Sequence, residues 1–214
     1  MAVLSWLGDF ILQMIPCCGL TLVLYLALLP LRRRSLGRRG LYSGLGRECT
    51  LLLFWMFAAG LAALTLFPHG FWPGGFLAAL QGEQVLPAWG ETVEKLAWLP
   101  RNLIPFHEIR RSLDSPWTLF LLLGNIGMFV PLGFGTAALW RRANWRRGLL
   151  TGLGCSCTIE FVQFFIGRST DIDDVILNAA GAMAGYGLYR GLARLRPDLA
   201  GRLCCRRRSA VHLS

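Results

Sequence analysis

The sequence carries little charge for its length. Of its 214 residues only 16% are charged, whereas 54% are hydrophobic, and the mean hydropathy is +0.48. A soluble domain carries about 25% charged residues. The shortage of charge therefore indicates an integral membrane protein, and the lipid bilayer is the first partner that the composition predicts.

The usual metal-binding and catalytic patterns are also missing. None of the seven cysteines forms a C-x-x-C pair, so neither a zinc site nor a disulfide framework is indicated. His107-Glu108 begins an H-E-x-x-H motif, but position 111 is arginine and the second histidine is absent. No G-x-S-x-G, Walker A or dinucleotide-binding motif occurs in a suitable context. We therefore expect no metal and no cofactor.

The net charge of +10 does not predict a nucleic-acid partner. The arginines stand at the ends of long apolar runs, where they orient membrane helices. RNP-like aromatics, zinc-finger spacing and a basic helix with polar faces are all absent from the sequence. We expect no binding to nucleic acid.

Five apolar runs are long enough to cross roughly 30 Å of hydrocarbon at about 1.5 Å of helical rise per residue. They lie at residues 10–31, 49–67, 117–140, 148–166 and 175–193. No basic residue precedes the first run, so we expect a retained span rather than a cleaved signal peptide. The sequence predicts an all-α fold, a polytopic membrane helix bundle with five transmembrane helices.

The charged residues between the runs predict the orientation. Arginine clusters at residues 32–47, 141–147 and 190–208 follow the first, third and fifth runs with few acids among them. The other connections carry more acidic than basic residues. The positive-inside rule therefore places the N-terminus outside and the C-terminus inside. We expect a single membrane domain over residues 1–214, with an outer interfacial segment at 68–116 and a basic cytoplasmic tail at 194–214.

A few polar residues within the apolar runs require an explanation. A charged side chain at the centre of a membrane helix costs roughly 2.5–3.5 kcal/mol, so Glu160 should be protonated or paired. Ser156, Glu160 and Gln163 share one helical face. With the predicted orientation, Asn125, Glu160, Gln163 and Asn178 all fall in the outer half of the membrane.

These residues belong to four motifs that resemble those of the VanZ-like family. The motifs are Asn102-Leu-Ile-Pro-Phe106, Asn125-Ile-Gly-Met-Phe-Val-Pro-Leu-Gly133, Glu160-Phe-Val-Gln163 and Arg168-Ser-Thr-Asp-Ile-Asp-Asp-Val-Ile-Leu-Asn-Ala-Ala-Gly181. They occur in the family's order and cover about residues 50–190. The resemblance implies a small multi-pass protein of the bacterial cytoplasmic membrane. The member that gives the family its name is associated with resistance to the lipoglycopeptide antibiotic teicoplanin.

The main functional hypothesis is an outward-facing polar site for a lipid-linked envelope precursor, a lipoglycopeptide or another amphiphile. In it Arg168 would contact an anionic headgroup, above a floor of hydrogen-bonding side chains. The candidate ligand-binding residues are Asn125, Glu160, Gln163, Arg168, Asp171, Asp174 and Asn178.

Simpler structural roles remain open for many of these residues. Asp171, Asp173 and Asp174 could cap the fifth helix, since Thr170 and Asp173 fit the S/T-x-x-D/E capping pattern. The asparagines could hydrogen-bond between helices. Glycines such as Gly181 and Gly185 have the G-x-x-x-G spacing of helix packing faces.

Two further functional hypotheses remain open. In the first, the protein is a membrane enzyme in which Glu160 or Asp171 is the acid/base for a lipid-linked substrate. In the second, it is a structural subunit that binds another membrane protein through Gly181 and Gly185.

Overall fold

A computed structural model of the protein describes most of the chain. The described residues are 2–67, 71–84, 93–94, 101–102, 104–140, 144–166, 170–203 and 205–207. Apart from two pairs of two-residue strands, the regular structure of this part is helical. The predicted all-α class is therefore confirmed.

The main helices coincide with the apolar runs. They are α1 (Ala2–Arg38), α2 (Leu45–Leu66), α5 (Pro116–Leu139), α6 (Trp145–Phe165) and α7 (Ile172–Leu195). Three shorter helices are α3 (Phe76–Leu80, after a π-helical turn at Phe71–Gly75), α4 (His107–Ser112) and α8 (Pro197–Leu203). The strands are β1 (Leu41–Tyr42), β2 (Arg101–Asn102), β3 (Thr170–Asp171) and β4 (Arg206–Arg207).

Four helices of the described chain are long and apolar enough to cross a membrane. They are Gly8–Arg38 within α1, together with α2, α5 and α6. α7 occupies the fifth predicted span and is also long enough, but it is less apolar because it contains glycines, tyrosines and Asn178. The structure thus supports four candidate spans, and the fifth span stays a prediction.

α5 and α7 pack closely because glycines face their contact. A side chain at Gly181 would collide with the carbonyl oxygen of Ile126, and one at Gly185 with that of Val130. From the other helix, Gly133 lies directly against the backbone of Ala182. The predicted packing role of Gly181 and Gly185 is confirmed, and the helix that they contact belongs to the same chain.

The main core cluster lies where α2, α5 and α7 meet. Leu61, Phe129, Leu132 and Ala182 are buried together there. α6 packs on the outside of this group against α7, and α1 contacts the bundle mainly through α2. The buried Gln13 ties α1 to α2 by donating to the carbonyl oxygens of Ala63 and Phe67.

The two strand pairs join connections at opposite ends of the helices. β1 pairs antiparallel with β4, which brings Leu41 opposite Arg207 in the predicted basic tail. β2 pairs in parallel with β3, which brings Arg101 opposite Thr170. The β1–β4 pair joins two of the arginine-rich connections, and the β2–β3 pair joins two of the connections that the charge distribution places on the other side of the membrane. Which side faces the cytoplasm stays a prediction.

The glycine contacts generate a first prediction. Gly185→Ala places a methyl group against the backbone of α5, whereas Gly187→Ala enters open space two residues later. Overpacking typically costs about 1–3 kcal/mol. We expect Gly185→Ala to lower the melting temperature of the detergent-purified protein and Gly187→Ala to leave it unchanged or slightly raised. Equal melting temperatures for the two variants would contradict the close α5–α7 packing.

Candidate functional site

The Asp-Ile-Asp-Asp segment begins α7. Asp171 has extended backbone angles (φ −128°, ψ 125°), and its side chain accepts a hydrogen bond of 2.8 Å from the backbone N–H of Asp173. Asp171 is therefore the N-cap of the helix. The capping role that the sequence left open for Asp171 is confirmed. The S/T-x-x-D/E pattern from Thr170 to Asp173 is wrong by one residue, because the helix starts after Asp171 rather than after Thr170.

Asp173 has a different role from the one predicted. Its side chain is 1% exposed, and its carboxylate accepts backbone N–H groups from Phe106 (2.6 Å), Glu108 (2.8 Å) and Ile109 (3.1 Å). The negative charge is thus satisfied by the start of α4 and not by the first turn of its own helix. These bonds fasten the outer segment to α7, and they leave Asp173 poorly placed to bind a ligand directly.

The same contact holds Phe106 in a left-handed conformation with φ 67°. A bulky residue rarely adopts this conformation, which costs of order 1–3 kcal/mol and persists where surrounding contacts determine it. The Phe106 N–H donates to Asp173 while its side chain remains exposed. The three hydrogen bonds to Asp173, called the Asp173 tether below, therefore fix the sharp turn into α4 that brings Glu108 and Ile109 over the end of the bundle.

Asp174 and Asn125 link α7 to α5. The Asn125 side-chain amide donates a hydrogen bond to the Asp174 carboxylate. Asp174 lies one turn below Asp171 on the same side of the helix start, so these carboxylates face the space beside α5. This space is the candidate ligand site.

A cavity of about 540 Å³ opens between α4, α5 and the start of α7. Its polar lining includes Glu108, Asn125, Asp171, Asp173 and Asp174. Its apolar lining consists of Phe10, Ile109, Phe120, Leu121, Leu122, Met128 and Leu177. The cavity is therefore amphiphilic, with carboxylates at one end and aliphatic or aromatic side chains along its wall.

Glu160 lies behind this cavity rather than in its lining. Its side chain is 7% exposed, and Oε2 accepts a hydrogen bond of 3.3 Å from the backbone N–H of Asp171. The sequence predicts that Glu160 is either protonated or paired, and the structure provides a pairing partner. Glu160 thereby supports the backbone of the residue whose side chain reaches the cavity.

Gln163 and Asn178 also lie outside the cavity lining. The Gln163 amide donates to the carbonyl oxygen of Thr65 on α2 at 3.1 Å, and the Asn178 amide donates to the Ser156 hydroxyl at 2.9 Å. Both bonds connect neighbouring helices, which is the simpler role that the sequence left open for Asn178. The Asn178 Oδ1 atom is buried without a hydrogen-bond partner in the described part of the chain.

The predicted site residues thus fall into separate environments. Asn125, Asp171 and Asp174 line one cavity, Glu160 supports it from behind, and Gln163 and Asn178 join helices. Arg168 lies outside the described residues. Within the described chain no three His, Cys, Asp or Glu side chains are grouped to hold a metal ion.

The structure contains a polar cluster at the opposite end of the helices that was not predicted from the sequence. Glu48, in the first turn of α2, is 5% exposed and forms an ion pair with Arg32. The Tyr25 hydroxyl donates to the Glu48 carboxylate at 2.6 Å, and Arg32 donates to that hydroxyl at 3.2 Å. The available signal was Glu48 itself, the single acid within an arginine-rich connection.

Comparison with known proteins gives a family but no individual relative. Neither the curated proteins nor the solved structures yielded a match to this chain. The family model described as VanZ/LLP1 matches residues 54–194. The matched region runs from α2 to the end of α7, and so includes the α5–α7 contact, the Asp173 tether and most of the cavity lining. On this match over most of its length, the chain belongs to the VanZ/LLP1 family.

Proposed function

We propose that the protein binds an amphiphilic or lipid-linked component of the cell envelope in the cavity between α4, α5 and α7. The observation that carries the proposal is the division of the lining into a carboxylate end and an apolar wall. A polar headgroup would lie beside Asp171 and Asp174, and an acyl or polyprenyl chain would lie along Phe120, Leu121 and Met128.

The carboxylates refine the kind of headgroup. Carboxylates accept hydrogen bonds, and bonds from charged donors are the stronger ones. The described lining therefore favours a ligand that presents an ammonium group or several hydroxyls. Arg168 belongs to the same connection between α6 and α7, and in this proposal it contacts an anionic group of the same ligand.

The membrane arrangement completes the proposal. α7 packs along α5 through Gly181 and Gly185 and would form a fifth span, with the N-terminus outside and the C-terminus inside. The cavity then opens at the outer face of the bacterial cytoplasmic membrane. Family membership suggests lower susceptibility to lipoglycopeptides such as teicoplanin as the consequence, through capture of the drug or of the component that it docks on.

An enzymatic function is a second candidate because Asp171 reaches the cavity. In that case Asp171, supported by Glu160, is the acid/base acting on a lipid-linked substrate. A structural role in contact with another protein through Gly181 and Gly185 is less favoured, because α5 of the same chain covers both glycines.

Cavity volume provides a direct test. Gly124 lines the cavity and has open space around it, so Gly124→Leu fills part of the cavity without a clash. Gly127 also has open space but does not line the cavity, so Gly127→Leu is its matched control. We expect Gly124→Leu to reduce the envelope lipid that co-purifies with the protein, measured by mass spectrometry, and Gly127→Leu to retain it. Equal retention in the two variants would place the ligand elsewhere.

The polar end is tested by charge removal at equal membrane abundance. We expect Asp171→Asn, Asp174→Asn, Glu160→Gln and Arg168→Ala to lower lipid retention, with the exposed Asp198→Asn as control. Hydrogen bonds to charged groups contribute about 1.5–3 kcal/mol, so each direct contact corresponds to roughly a ten- to hundredfold change in affinity. Teicoplanin susceptibility of cells carrying each variant is the second measurement. If the site variants behave like Asp198→Asn in both measurements, the binding proposal fails.

The Asp173 tether predicts a local opening. Asp173→Ala removes the acceptor for three backbone N–H groups, so we expect faster hydrogen exchange in residues 104–112. Asp174→Ala keeps all three of these bonds, because the described partner of the Asp174 carboxylate is the Asn125 amide on α5, and it serves as the control. Unchanged exchange in Asp173→Ala would show that α4 is held by other contacts.

The enzymatic candidate gives a separate prediction. Because the described cavity contains no nucleophile paired with a base, we expect purified protein to leave labelled envelope lipids unchanged on incubation. Product formation that is lost in Asp171→Asn and Glu160→Gln would replace the binding proposal with the enzymatic one.

A further inference from the structure

A second cavity lies between α1 and α2, far from the candidate site along the helices. It has a volume of about 540 Å³. Most of its lining is aliphatic or aromatic and includes Leu24, Leu28, Trp55 and Ala59. Tyr25 and Arg32 form a polar end.

The cavity opens on the side of the bundle that faces lipid if α1 and α2 cross a membrane. Both helices are among the candidate spans, and the most apolar 18-residue stretch of the α1 span contains no buried residue. Leu24 and Leu28 on α1 and Trp55 on α2 line the cavity, and each of these residues is at least half exposed. Between two membrane helices, an open apolar groove of this kind is occupied by a hydrocarbon chain.

The polar end of the groove carries excess positive charge. Arg32 lines the groove and is 28% exposed on its side chain, and its partner Glu48 is buried. Arg33 and Arg34 follow on α1, and Arg47 precedes Glu48 on α2, so one carboxylate stands among several guanidinium groups. Lipid phosphates are favoured next to such clusters at the ends of membrane helices.

Two buried polar atoms near this end have no partner in the described chain. They are Glu48 Oε1, an acceptor, and Arg47 Nε, a donor. A buried polar atom without a hydrogen bond costs about 1–3 kcal/mol. Among the described residues the cluster is therefore incomplete, and an acceptor and a donor from a headgroup would complete it.

We propose that the groove between α1 and α2 binds an anionic membrane phospholipid. One acyl chain lies along Leu24, Leu28 and Trp55, and the phosphate contacts Arg32 with Arg47. A hydroxyl of the headgroup, as in phosphatidylglycerol, supplies the donor that Glu48 lacks. This site is separate from the cavity of the proposed function, and α1 lies outside the region that the family model matches.

The test uses the full chain in nanodiscs of phosphatidylcholine that contain a minority of phosphatidylglycerol. After gentle extraction in detergent, native mass spectrometry measures which lipid stays bound. We expect phosphatidylglycerol to be retained over phosphatidylcholine by about tenfold relative to the nanodisc, which corresponds to about 1.4 kcal/mol. Equal retention of the two lipids would overturn the proposal.

Two variants separate the chain-binding and headgroup-binding parts. Ala59→Phe fills the groove, and Leu53→Phe places a phenylalanine at an exposed position of α2 outside the lining. The double change Arg32→Met with Glu48→Gln removes the ion pair without leaving an unpaired buried charge. We expect Ala59→Phe and the double variant to lose the phosphatidylglycerol preference and Leu53→Phe to keep it. Retention in both site variants, with helix content unchanged by circular dichroism, would overturn the proposal.

Two further outcomes identify a different occupant. Excess inorganic phosphate should not displace the bound lipid, because the acyl chain contributes to binding; displacement would show a phosphate site rather than a lipid site. A cysteine at position 28 (Leu28→Cys) should not form a disulfide with a second copy in the nanodisc. Efficient crosslinking there would show that a protein helix, and not a lipid, covers the groove.

Discussion

The end of the bundle that holds the candidate site depends on one carboxylate that accepts hydrogen bonds from a segment distant in sequence. The turn into α4 exposes backbone N–H groups that no regular structure satisfies, and Asp173 accepts three of them. A buried charge is tolerated only when hydrogen bonds surround it, so the tether and the burial of Asp173 require each other. These bonds join Glu108 and Ile109 of the cavity lining to the start of α7.

Some polar residues at this end line the cavity, and others hold those residues in place. Asp171 and Asp174 reach the cavity, whereas Glu160 accepts the backbone N–H of Asp171 and Asn125 donates to Asp174. Glu160 would therefore influence a ligand in this cavity through the position of Asp171, because Glu160 is outside the cavity lining. The backbone N–H of Asp171 explains why Glu160 is buried at this position. Loss of Glu160 should therefore change the geometry of the site more than the charge of the cavity lining.

The apolar runs predicted the five long helices, because burial in lipid or in a bundle leaves a strong compositional signal. G-x-x-x-G spacing likewise predicted the packing of Gly181 and Gly185, because close approach requires small residues. Pairings between segments distant in sequence were not predictable. The partners of Asp173 are backbone N–H groups, which do not depend on the side chains of those residues and so cannot be read from the sequence. Glu48 had the sequence context of a solvated loop acid, and only the fold shows that Arg32 and Tyr25 contact it. Asn178 and Gln163 carried the same polar signal as Asn125, yet only Asn125 lines the cavity, since helix rotation decides which face is presented.

The two cavities follow from one physical requirement. Between helices in a bilayer, a polar group is stable only when it is paired or near an end where headgroups and water reach it. At the start of α7 the carboxylates meet this requirement through α4 and α5, and at the opposite end of the helices Glu48 meets it through Arg32 and Tyr25. The first arrangement presents acceptors and the second presents cations. The carboxylates of Asp171 and Asp174 would favour a ligand that carries hydrogen-bond donors, whereas the guanidinium group of Arg32 would favour a ligand that carries a phosphate. Both cavities have a volume of about 540 Å³ and an apolar wall, so the difference in their charged groups is the feature by which they would select different ligands.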